Sequence, residues 1–240
     1  MRALLKYHID VYKSSSHFVS PFLLILIYSI LLHVFLPSFI SNCLFYSLTT
    51  LFTACVANGF FSYKLCSDDM DAVLILKAGS ALKYYLSKEM ALGLSALVYT
   101  LTVMLYPGAV LLLGKITLSK SVPGELIVLY FLHLLVALLG YEIGSLFQPK
   151  IIRKRHLALI LLFITIAGIL LRQIFTGIPI LKYLYWIFPP FMKLLEIVLQ
   201  SDTFLSAETG RIAIQLALSI LQVLVIKIII LNHRKWTIYE

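Results

Sequence analysis

Charged side chains are scarce in this sequence. Asp, Glu, Lys and Arg make up 13% of 240 residues, while 61% are hydrophobic. A soluble domain is about 45–50% apolar and about 25% charged. A water-facing globule is therefore excluded, and the mean hydropathy of +0.97 suits a chain that faces lipid. Cysteine is also rare. Cys43, Cys55 and Cys66 form no CxxC pair, which argues against a disulfide framework or a zinc site and leaves packing as their reading. No N-x-[ST] acceptor occurs. Catalytic signatures are missing too: there is no HExxH and no G-x-S-x-G. A phosphate-binding loop needs G-x-x-x-x-G-K-[ST], whose backbone amides cradle the phosphates. The nearest approach, GAVLLLGKIT at Gly108–Thr117, spaces its glycines one position too far and has Ile116 where the hydroxyl belongs. We expect no enzyme activity and no bound cofactor on this chain, and any ATP-derived energy must come from another one.

What the chain has is long apolar runs. About 20 mainly apolar residues cross the hydrocarbon core as a helix. Six stretches qualify or nearly do: 18–40, 44–61, 90–113, 126–147, 157–174 and 212–231. They are continuous and not alternating, which predicts helices and not barrel strands. The expected fold is all-α, one transmembrane domain over 1–240 with six spans. Charges continue to Lys13 before the first run, so the N-terminus reads as retained and not as a secretory signal.

Lys and Arg give the expected orientation. With the N-terminus in the cytoplasm, 14 of the 20 Lys and Arg residues fall inside and 6 outside, and both termini are cytoplasmic. The net charge of +9 is then mostly a topology signal, and nucleic acid is not an implied partner.

Three further segments are amphipathic. Arg2, Lys6, Asp10 and Lys13 share one helical face opposite Leu4, Leu5, His8, Ile9, Val11 and Tyr12, which predicts an interfacial helix over 1–16. Between the fifth and sixth runs, Pro189-Pro190 and the amphipathic stretch PFMKLLEIVLQ predict short re-entrant outer helices. The third segment is CSDDMDAVLILKAGSALKYYLSKEM, Cys66–Met90, a charged connector between two spans. Asp68 can cap a helix, and Asp69 and Asp71 suit its first turn. Gly79 suits the helix end and Ser80 the next cap. Leu82, Tyr85 and Leu86 then follow at helical spacing. The segment reads as a short helix, a break and a second helix feeding the third span. On pattern alone it either lies on the lipid surface or docks to a soluble partner.

Some polar residues lie inside the apolar runs. Glu142 sits between Gly140 and Gly144 in GYEIG. That GxxxG spacing admits a close helix neighbour, and an ionisable group in a span is by default functional. Glu142 reads either as a carboxylate facing substrate or a second subunit, or as one wetted or paired near the cytoplasmic end of its span. His33 and His133 read either as part of a polar or proton path or as single histidines bonded to a backbone carbonyl. The cluster KIIRKRH, Lys150–His156, suits anionic lipid headgroups or a soluble ATPase.

Taken in order, these features resemble the ABC-2 type membrane subunits of ATP-driven transporters, compact bacterial exporters in particular. They are the amphipathic first helix, the acidic-started DDMDAVLILKAGSALKYYLSKE, the Gly-containing LLGYEIGSLF, the proline pair in YLYWIFPPF and the basic NHRKW, and they cover nearly the whole chain. This chain has Lys77-Ala78-Gly79 where many members carry a proline. The resemblance implies a coupling helix that inserts into a cleft on a cytoplasmic ATPase subunit, which carries ATP and Mg. Leu74, Leu76, Leu82 and Tyr85 would supply packing there, Asp71 and Lys77 rim charges, with Asp68 at the helix start and Lys88 just before the third span. It implies a second membrane subunit, identical or related, since six spans without an internal repeat are few for a pathway in one chain. An amphipathic or apolar cargo, such as an antimicrobial or toxic peptide, is the implied substrate. A membrane scaffold or sensor, and an ion-driven secondary transporter using Glu142, His33 and His133, stand as alternatives.

Overall fold

The computed structural model describes residues 2–35, 40–65, 68–112, 122–149, 151–152, 154–170 and 209–236. Among the described residues all regular structure is helical. The order is α1 (Arg2–Ser14), α2 (Ser16–Phe35), α3 (Ile40–Phe61), a 3-10 turn (Ser62–Leu65), α4 (Asp68–Ala78), α5 (Ala81–Leu112), α6 (Val122–Leu146), α7 (Arg155–Leu170) and α8 (Thr209–Trp236).

Local chemistry sets the breaks. Ser15 alone separates α1 from α2, and its hydroxyl donates to the Tyr12 carbonyl at 2.7 Å. At the end of α4, Gly79 takes φ +67°, where a Cβ would be strained. Its N–H donates to the Leu76 carbonyl at 3.2 Å. Ser80 then opens α5, its carbonyl accepting from the Tyr84 N–H at 3.2 Å. The end of α3 is closed from a distant part of the chain: Gln148 Nε2 donates to the Gly59 carbonyl and to the Ser62 hydroxyl, both at 2.7 Å. Carbonyls of a last turn lack helical partners, and Gln148 supplies one.

Among the described residues three helices are long and apolar enough to cross a membrane, over Ala81–Leu105, Ile127–Leu146 and Gly210–Ile230. Shorter apolar helical stretches occupy Phe18–Tyr28 and Arg155–Gly168. The sides of the bundle expose Leu24 and Ile27 on α2, Leu105 on α5, Phe163 on α7 and Leu221 and Ile228 on α8. Only 17% of the apolar window of α8 is buried. Apolar surface on that scale belongs against lipid.

Helix α3 is the centre of the packing. Leu48, Phe52, Val56 and Phe60, each four residues apart, fill one cluster with Leu129, Leu132, Val136, Leu139 and Ile143 of α6. The next face of α3, with Leu51, Ala54 and Cys55, packs on Ile25 of α2 and on Ala96, Tyr99 and Val103 of α5. Glycines let α3 and α6 touch backbone to backbone. A Cβ on Gly140 would meet the Phe52 carbonyl oxygen at 2.8 Å, while one on Gly144 would collide with the Val56 carbonyl and one on Gly59 with the Tyr141 carbonyl. The close neighbour expected at the GxxxG spacing is thus α3 of the same chain. That face is filled and does not present itself to a second copy.

The re-entrant outer helices expected around Pro189 and Pro190 lie outside the described residues, as do Lys150 and Arg153 of the basic cluster.

Candidate functional site

Helices α4 and α5 meet at an elbow across Gly79 and Ser80. On its outer side Leu76 is 81% exposed and Leu82 61%, with Met70, Val73 and Leu86 also exposed. Lys77 is exposed beside them, while Leu74 and Tyr85 are half-buried. Of the residues expected to pack on a partner, Leu76 and Leu82 present the most surface.

The inner side of the elbow is polar and closed. Asp71 and Lys88 are both buried. Their charged groups lie 3.9 Å apart, and the Tyr84 hydroxyl donates to the same Asp71 carboxylate. The Lys88 ammonium also stands 6.0 Å from the centre of the Tyr84 ring, within reach of a cation–π attraction. The resemblance implies a rim charge at Asp71 on the docking surface. The structure turns it inward, because the elbow brings residues 71 and 88 together.

Helix α1 covers this cluster. The ring of His8 meets that of Tyr84 edge-on, 5.1 Å between centres. His8 is buried, and its Nε2 has no hydrogen-bond partner among the described residues. Burial lowers its pKa from the usual 6.5 to about 4; Lys88 lowers it too, and Asp71 opposes them. The imidazole is neutral at pH 7.

Deeper in the bundle a second polar network joins five helices. Ser95 Oγ donates to the Leu92 carbonyl at 2.6 Å. Its single proton is thereby used, so the Tyr141 hydroxyl, 2.6 Å away, donates to Ser95. Tyr141 in turn accepts from Tyr12 at 3.2 Å and from Asn58 Nδ2 at 3.1 Å. Asn58 Nδ2 donates as well to Tyr99 at 2.8 Å, and Tyr99 donates to the Phe18 carbonyl at 3.0 Å. Asn58 Oδ1 is buried with no hydrogen-bond partner among the described residues. The sequence reading missed this network. Its signal was present, since Asn58, Tyr99 and Tyr141 are polar atoms inside apolar runs, but their convergence is a property of the packed helices.

Of the polar residues singled out in the spans, Glu142 and His133 are engaged within the chain. Glu142 is buried, and its Oε1 lies 3.7 Å from the Lys227 ammonium of α8. His133 Nδ1 lies 2.8 Å from the Leu129 carbonyl and therefore donates to it. Its Nε2 accepts from the Ser47 hydroxyl at 3.0 Å. The backbone of His33 belongs to α2 and Asp68 is the first residue of α4, while their side chains lie outside what is described. Among the described residues no group of three or more His, Cys, Asp or Glu is placed to hold a metal.

A scan against protein-family models finds no match for this chain, and searches of curated proteins and of solved structures find none either.

Proposed function

We propose that this chain is the membrane subunit of an ATP-driven exporter, docked through the α4–α5 elbow to a cytoplasmic ATPase. The observation that carries the reading is the elbow itself. Leu76 and Leu82 stand exposed on one side, while the other is braced by Asp71, Tyr84 and Lys88. The length of α5 fits a part outside the bilayer: 32 residues extend about 48 Å, against about 30 Å of hydrocarbon. The first turns of α5, with buried Ser87, Lys88 and Glu89, then stand in the cytoplasm with α4.

In this reading α2, α3, α5, α6, α7 and α8 cross the membrane, both termini are cytoplasmic, and short outer helices precede α8. Two such subunits form the pathway, and the cargo is amphipathic or apolar, a peptide antibiotic or toxin being the leading class. The ion-driven alternative has less support, because Glu142 is paired with Lys227 and both ring nitrogens of His133 are bonded.

The test is purification of the tagged chain from its host in mild detergent, followed by an ATPase assay. A soluble ATPase that co-elutes and hydrolyses Mg-ATP supports the reading. An intact chain with no ATPase removes it and leaves a scaffold or sensor using the same surface. The double variant Leu76→Asp with Leu82→Asp should lose the ATPase yet still insert in the membrane. Leu74 is a poorer probe, since it is half-buried and its loss would also perturb the elbow.

A further inference from the structure

The connection between α4 and α5 is two residues long, and one of them, Gly79, has open space around its Cα and a left-handed backbone. The backbone hydrogen bonds of Gly79 and Ser80 each stay on their own side of the bend, to Leu76 and from Tyr84. What spans the bend is side-chain chemistry. Asp71 lies in the first turn of α4, and Tyr84 and Lys88 lie one turn apart on α5. One carboxylate therefore receives the Tyr84 hydroxyl and faces the Lys88 ammonium across the angle. All three side chains are buried, and α1 shields them through the His8–Tyr84 ring contact. Water is largely excluded, so the attraction is weakly screened and an unpaired Asp71 or Lys88 would be costly.

We propose that Asp71 is a positioning residue that latches α4 to α5 through Tyr84 and Lys88, so that the elbow moves as one rigid piece about a fixed angle. A push on the exposed face of α4 is then delivered to the span as tilt of α5, and is not dissipated by bending at Gly79. The rigidity stands on the geometry of this chain alone. Its use as a lever rests on the transporter reading above.

Spin labels at Ala72→Cys and Leu101→Cys, with Cys43→Ser, Cys55→Ala and Cys66→Ser, report the elbow angle in the full chain in lipid nanodiscs. The parent should give one narrow distance distribution. Asp71→Asn and, separately, Tyr84→Phe should widen it at least twofold, and Asp71→Glu should restore most of the narrowness. A parent that is already broad, or a Tyr84→Phe chain as narrow as the parent, overturns the latch. Tyr84→Phe removes only a hydroxyl and decides the matter if Asp71→Asn fails to fold. In the ATPase complex, Tyr84→Phe should retain the bound ATPase but lower export per ATP hydrolysed at least threefold. Unchanged coupling with a widened distribution overturns the lever. Absence of any ATPase from the parent complex overturns the transporter reading, while the distance result still decides the latch.

Discussion

Glu142 of α6 faces Lys227 of α8 across 3.7 Å, with the carboxylate side chain buried and the lysine side chain one-third exposed. The pair joins α8, the least buried of the long apolar helices, to the rest of the bundle. Breaking a buried pair from one side leaves a charge without its partner, which costs about 3–5 kcal/mol, whereas replacing both members is often neutral. Lys227→Met should therefore destabilise the chain more than the double variant Lys227→Met with Glu142→Gln. Thermal unfolding in detergent reads the difference, and equal losses in the two would show that the pair contributes nothing.

Gly144 has the Val56 carbonyl where its Cβ would stand. Backbone cannot yield as a side chain can. Gly144→Ala should separate α3 from α6 at a cost of about 1–3 kcal/mol. Gly93 is a control, because open space surrounds it and it lies in mid-helix. There Gly→Ala should be neutral or stabilise by up to about 1 kcal/mol. Midpoints of the two variants should move in opposite directions, or only the first should fall.

Tyr141 is donor to Ser95 and acceptor from Tyr12 and Asn58. Tyr141→Phe removes all three bonds and leaves buried polar groups unmatched, at about 1–3 kcal/mol. Since Tyr12 is the contribution of α1 to this network, the amides of α1 should exchange with deuterium faster in the variant than in the parent. Unchanged exchange there would mean that α1 is held by other contacts.

His8 predicts a pH dependence with a definite sign. Its pKa falls from 6.5 to about 4 in the folded chain, so the unfolded state binds the extra proton first. Stability from the neutral imidazole is complete above 6.5 and is lost as pH falls through about 4, by at most roughly 3 kcal/mol. Protection of α1 amides should decline across that window. Lys88, Asp71, Tyr84 and the neighbouring Tyr7 are polar groups that face the ring. His8→Phe keeps the aromatic contact with Tyr84 and should flatten the dependence, and a profile unchanged in that variant would show that His8 does not set it.

Much of this architecture was legible in the chain. Run length alone marks helices, since a continuous apolar stretch has no strand alternation and every backbone group must be satisfied within the segment. The break at Gly79 and Ser80 was readable because only a residue without Cβ takes φ +67° comfortably. GxxxG spacing announced a close neighbour, and His133 was readable as a histidine bonded to a nearby carbonyl, its acceptor Leu129 being one helical turn away.

Partners across the bundle were a different matter. The glycine face of α6 fits any helix that approaches closely, and packing decided that it is α3. Asp71 and Lys88 looked like separate surface charges, because a helical pattern orients each residue only within its own helix. The elbow folded them onto each other, and α1 closed over them. Glu142 could have been wetted, paired or facing a second subunit, and the approach of α8 decided that it is paired. Apolar periodicity and special residues act over a few positions and so belong to the sequence. The pairing of buried polar groups depends on helices meeting over long separations, where distance and exclusion of water set the energy, and that is the work of the tertiary structure.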